Sequence, residues 1–133
     1  MTGLFVMLSL LFIWPWSGKE FHMTPASSVP AAMGTVKVEK DKDNGNTKLD
    51  IKVEHLAKPS SLTPPANAYL VWVRPNGGDA VKQGAIGVNN DLKGELKVVT
   101  VLKDFDLLIT AEQSETVTVP SNVEVLKTHV SES

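Results

Sequence analysis

A chain of 133 residues has room for one domain of ordinary size, large enough to bury a core without disulfides or structural metals. It has no cysteine, which removes thiol catalysis, thiolate metal sites and disulfide staples. Its 13 basic and 15 acidic residues give a net charge of −2, which argues against a nucleic-acid partner, and 42% hydrophobic with 21% charged residues is a globular balance, not a disordered one.

Gly3–Trp14 is almost unbroken apolar sequence, shorter than the ~20 residues that a helix needs to cross a bilayer squarely. That length fits the apolar core of a signal peptide. No Lys or Arg precedes it, however, and no small-x-small cleavage site follows Trp14-Pro15-Trp16 directly. Residues 1–16 are therefore expected to be a signal peptide or an uncleaved membrane anchor with its tryptophans at the interface, and the chain to be exported to the periplasm or cell envelope. Residues 17–33 are polar and small, and two prolines, Pro25 and Pro30, forbid a helix interior. They read as a linker with a short edge strand around Glu20–Met23.

The folded domain is expected over 34–133. In Gly34–Lys40 and Thr47–Glu54 apolar and charged residues alternate, which makes two strands with one wet face, and Asn44-Gly45 between them offers the positive φ of a tight hairpin turn. The acidic residues of that turn do not form a calcium loop. Counting from Asp41, Asn46 stands where an EF-hand needs glycine and Lys52 where it needs Glu.

His55–Asn67 holds three prolines and reads as a crossover between two sheets, with one short helical turn at Pro59–Leu62. Ala68–Arg74 (AYLVWVR) does not alternate at all. Such a run suits a strand buried on both faces, with Trp72 as a core anchor. Further strands are expected over Ala80–Val88, Leu92–Val101, Phe105–Glu112, Thr116–Val119 and Val123–Val130, each set off by turn residues. Short strands at this spacing without a helical period predict an all-β fold, an antiparallel immunoglobulin-like sandwich of seven to eight strands.

Tyr69-Leu70-Val71-Trp72-Val73, then Gly84 with Ile86 and Val88, then Leu108-Ile109-Thr110-Ala111-Glu112 and Pro120-Ser121 form a layout that resembles the extracytoplasmic β-sandwich domain of anti-sigma-K-type membrane proteins. The same layout is similar to that of small uncharacterised secreted bacterial domains. The resemblance runs from Thr47 to Val130 and implies the fold and an extracytoplasmic place. Only two residues precede the apolar run where such an anti-sigma factor carries its sigma-binding domain, so sigma-factor binding is not among the expectations.

The candidate metal ligands are His22, Met23, Met33 and His55, whose imidazole and thioether groups suit Cu(I). Their spacing is similar to that of exported bacterial copper carriers, although Ala57 stands where that family has a methionine. The bland reading places Met23 and Met33 as apolar filler and His55 at the surface of a strand end. No nucleophile elbow or phosphate-binding glycine loop is present, and Glu112 with Glu115 and Asp104 with Asp106 read as solvated charges beside turns. The expectation is a non-enzymatic envelope protein without a cofactor. It would meet a protein partner through the loops at the two ends of Ala68–Arg74, namely His55–Asn67 and Pro75–Asp79. A copper carrier is the alternative.

Overall fold

The structure, a computed structural model, describes residues 18–131. The apolar segment and both of its tryptophans lie outside the described residues. Eight strands follow in order: β1 Lys19–Pro25, β2 Met33–Lys40, β3 Thr47–Glu54, β4 Ala68–Pro75, β5 Val81–Ala85, β6 Gly94–Thr100, β7 Asp104–Glu112 and β8 Glu124–Ser131. The spatial order is β5-β4-β7-β8-β1-β2-β3-β6, and every neighbouring pair is antiparallel. The protein is thus an all-β antiparallel sandwich. One sheet is β5-β4-β7-β8 and the other is β1-β2-β3-β6.

β1 joins the two sheets. Its first part pairs with β2 from Lys19 to Met23, and then Thr24 and Pro25 pair with β8. The segment expected as a linker therefore supplies a strand between two others, longer than the short edge strand anticipated there. Its alternation is legible in hindsight: Phe21 and Met23 pack into the core while Glu20 and His22 face solvent. The two ends of the strand order approach each other where β6 begins. A Cβ on Gly94 would collide with the backbone oxygen of Gly87, so the sandwich is close to a barrel along this seam.

The strands β2 and β3 match their alternation residue for residue. Val36, Val38, Leu49, Ile51 and Val53 are buried, and Lys48, Lys52 and Glu54 are exposed. Their connection is wider than a two-residue turn. Gly45 alone takes positive φ (+74°), its N–H donates to the Asp41 carbonyl, and the Asp43 N–H donates to the Asp41 carboxylate. The crossover after β3 carries the chain from one sheet to the other and holds a single 3-10 turn, Pro59–Ser61.

β4 is buried from Ala68 to Val73, six residues in succession. Tyr69, Val71 and Val73 enter the main core with Phe105, Leu107, Ile109, Ala111, Leu126 and Val130. Leu70 and Trp72 point the other way and form a second cluster with Leu108 on the outer face of the sheet, where Ala80, Ala85 and Val117 pack against them. The cover includes the segment 113–122. Lys82 Nζ donates to the carbonyls of Glu115 (2.6 Å) and Val117 (2.7 Å) and so holds this segment across the sheet. The strand expected at Thr116–Val119 does not form, for a simple reason: β7 already has β4 on one edge and β8 on the other, so the connecting segment has no edge to pair with.

Candidate functional site

The end of the sandwich where β4 begins is built from three loop segments. The crossover is fixed there by hydrogen bonds to several elements. The Tyr69 hydroxyl donates to the Ala57 carbonyl at 2.6 Å, the Ala66 N–H to Pro59 O, the Asn67 N–H to Glu112 O, and the Gln113 side-chain amide to Pro65 O. Lys58 Nζ donates to Asn90 Oδ1 at 2.7 Å. At the start of this loop His55 takes a left-handed backbone (φ +55°), which is uncommon for a residue with a Cβ. The bend directs the buried Leu56 inward, where its N–H donates to the Leu92 carbonyl.

Between the crossover and the β1–β2 turn lies a groove of about 480 Å³. Its apolar lining comes from Val29 and Pro30 of the turn, Leu62 and Pro64 of the crossover, and Val123 ahead of β8; His55 contributes the imidazole. No Asp, Glu, Lys or Arg lines it. Among the lining groups Val123 is 44% exposed, so part of the apolar surface meets solvent directly. A neutral, loop-lined groove held by its own hydrogen bonds is suited to an apolar segment of a partner, because little ordering of the protein is needed on binding.

The four candidate metal ligands do not gather. Met23 is buried, and its sulfur lies against Gly34 inside the core. His22, one residue earlier, is exposed on the opposite face of β1, as strand alternation requires. Met33 is 56% exposed at the start of β2 and pairs with Glu54 of β3, while His55 belongs to the groove. Among the described residues no three His, Asp or Glu side chains are arranged to hold a metal ion.

The far end of β4 carries a polar row that sequence reading missed. Arg74 of β4, Asp106 of β7 and His129 of β8 are direct cross-strand neighbours. Arg74 Nη2 lies 3.1 Å from Asp106 Oδ2, and Asp106 Oδ1 lies 2.8 Å from His129 Nδ1. The other ring nitrogen, Nε2, is 2.5 Å from Asp104 Oδ1, and the Asn76 amide donates to Asp104 Oδ2 at 3.3 Å. The hydrogen bond to Asp106, then that to Asp104, raises the pKa of His129; the hydrogen bond from His129 and, beyond it, Arg74 lower that of Asp106. Asp104 and Asp106 were read as solvated charges, and it is the register of three strands that ties them together.

Glu112 is likewise not a solvated charge. It is buried and accepts from the Thr110 hydroxyl (2.6 Å) and the Ser121 N–H (2.9 Å), and Thr110 in turn accepts from the Trp72 indole N–H (2.8 Å). This chain of bonds fixes Trp72 as a core anchor and secures the end of the segment that covers it. Compared with known proteins, the chain matches no family model and no curated sequence.

Proposed function

We propose that the protein is an exported or membrane-anchored β-sandwich of the cell envelope, without catalytic activity, that binds a neutral apolar segment of a protein partner in the groove between the crossover and the β1–β2 turn. The observation that carries this reading is the groove itself: three loop segments, two of them rich in proline, meet around an apolar concavity and are held by hydrogen bonds that reach β4, β7 and the turn at Asn90. Inside the sandwich the space is taken by Trp72, Tyr69, Phe105 and their neighbours, so recognition falls to the surface. Export rests on the apolar run Gly3–Trp14, and the resemblance to anti-sigma-K-type extracytoplasmic domains supports the same compartment. Among the described residues no helix is long and apolar enough to cross a membrane.

Two measurements test the reading. Fractionation of cells producing the full chain should recover it in the envelope, processed or not; recovery of the full-length chain in the cytosol removes the export claim. A photoreactive residue in place of Ser61, at the groove, should cross-link one partner that the same residue at Lys48, on the exposed face of β3, does not reach. The purified partner should bind the Thr63→Glu variant at least about tenfold more weakly than the parent, because a carboxylate would have to be desolvated in a neutral groove. Equal affinity for the two, or equal cross-linking from both positions, defeats the groove assignment.

A further inference from the structure

The row at the other end of β4 contains a bonding pattern that only one protonation state of the ring satisfies. Both nitrogens of His129 face a carboxylate oxygen, at 2.5 Å from Asp104 and 2.8 Å from Asp106. A neutral imidazole has one N–H and one lone pair, so one of these contacts would set a lone pair against a carboxylate oxygen. The imidazolium donates to both. It then completes an electroneutral set, with Arg74 and His129 positive and Asp104 and Asp106 negative.

The two carboxylates are not equivalent. Asp106 keeps the Arg74 guanidinium whatever the ring does, whereas Asp104 has only the longer bond from the Asn76 amide. The remaining groups around the row do not supply a substitute. Lys127, on the same face of β8, lies 3.9 Å from Glu124; Thr24 of β1 is neutral, and Leu108 of β7 is apolar.

We propose that Arg74, Asp106, His129 and Asp104 form a proton-operated clamp on the outer face of the β5-β4-β7-β8 sheet. With its proton, the ring bridges the two carboxylates and ties the end of β8 to the start of β7. On losing it, the ring retains one N–H, keeps Asp106, and releases Asp104, so the rim beside the Pro75–Asp79 turn passes from neutral to a net charge of −1. The inference stands on the row's own geometry and is independent of the groove and of the compartment.

The sign of the pH dependence follows. The pKa of His129 is raised on folding, so its contribution is complete below the ordinary histidine value of about 6.5 and is lost as pH rises through the folded value. The pKa of Asp106 is lowered, so its contribution is complete above the ordinary aspartate value of about 3.9 and is lost as pH falls through the folded one. The clamp is therefore fully made between those two ordinary values and opens on the alkaline side by loss of the ring proton.

NMR of the full chain, labelled with ¹⁵N and ¹³C, tests this without any variant. At pH 6 both ring nitrogens of His129 should carry protons, the ring should titrate above its ordinary value, and the Asp104 carboxyl carbon should shift in that same step. Asp104→Asn and Asp106→Asn should each lower the ring's midpoint, and the upper step in the carboxyl signal should vanish in His129→Gln. A neutral ring tautomer at pH 6, or an Asp104 carboxyl that does not follow the ring, overturns the clamp.

Discussion

Replacing Thr110 with valine removes one hydroxyl, keeps the branched shape, and tests whether the buried polar chain behind Trp72 is a structural element of the fold. The hydroxyl accepts from the Trp72 indole at 2.8 Å and donates to Glu112 at 2.6 Å, and all three side chains are buried. With valine there, the indole N–H has lost its acceptor, a desolvation cost of about 1–3 kcal/mol, and a hydrogen bond to a charged group, typically about 1.5–3 kcal/mol, is lost as well. Glu112 still accepts from the Ser121 N–H, so the two losses do not add fully. A net destabilisation of about 2–4 kcal/mol is expected. An unfolding entropy near 2.1 cal/mol/K per residue over a domain of roughly 110 residues converts this to a fall of about 10–15 °C in Tm. Thermal and urea unfolding of Thr110→Val, Trp72→Phe and the double variant form a cycle in which the two changes should couple by about 1 kcal/mol or more, because phenylalanine has no N–H to leave unpaired. A Thr110→Val variant within about 0.5 kcal/mol of the parent would refute the chain as a stabilising element.

Tyr69 is the protein's one tyrosine, so absorbance of tyrosinate near 295 nm reports it alone. Burial raises its pKa from 10.0 to about 12, and the folded protein should accordingly ionise near pH 12 and the urea-unfolded chain near 10. Since the folded value is the higher, stability should decline as pH rises from about 10 through 12, a decline absent in Tyr69→Phe; coincident titration of the folded and unfolded chains would contradict the burial. At neutral pH Tyr69→Phe should cost about 0.5–1.5 kcal/mol for the bond to Ala57 and speed hydrogen exchange in the crossover, and unchanged exchange there would show that this bond does not hold the loop. Gly94→Ala should cost more than about 2 kcal/mol, since the new Cβ meets the Gly87 carbonyl and backbone must move; a neutral result would mean that the β5–β6 seam is loose.

How far the fold was legible depended on how local its causes are. The two-faced burial of Ala68–Arg74 could be read directly, because a strand covered on both sides needs apolar residues at successive positions, and the alternation of β2 and β3 named their inward valines and leucines in the same way. β1 was harder. Lys19–Pro25 offers only Phe21 and Met23 to the core, and what makes it an interior strand is the pairing with β2 and then with β8, which no local pattern contains. Thr116–Val119 failed in the opposite sense: its Thr-Val-Thr-Val alternation favours a strand locally, yet both edges of β7 are occupied, and the segment instead places Val117 over the outer cluster.

The same division governs the two ends of β4. The crossover was marked in the sequence by its prolines, and a proline-rich loop next to a core strand is where a groove could be anticipated, although its partner walls, Val29 and Val123, come from residues far along the chain. The polar row had no local mark. Asp104, Asp106 and His129 each sit on the outward side of an alternating strand and look alike as solvated charges, and only the register Arg74–Asp106–His129 makes them neighbours. One strand therefore serves both sites: Tyr69 near its start anchors the groove, and Arg74 at its end holds the aspartate that keeps the clamp in place. This gives β4 a role beyond packing. Because its inner and outer faces are both fixed by core contacts, a slip of one residue would exchange Tyr69 and Val71 with Leu70 and Trp72, and would carry Arg74 away from Asp106 in the same movement.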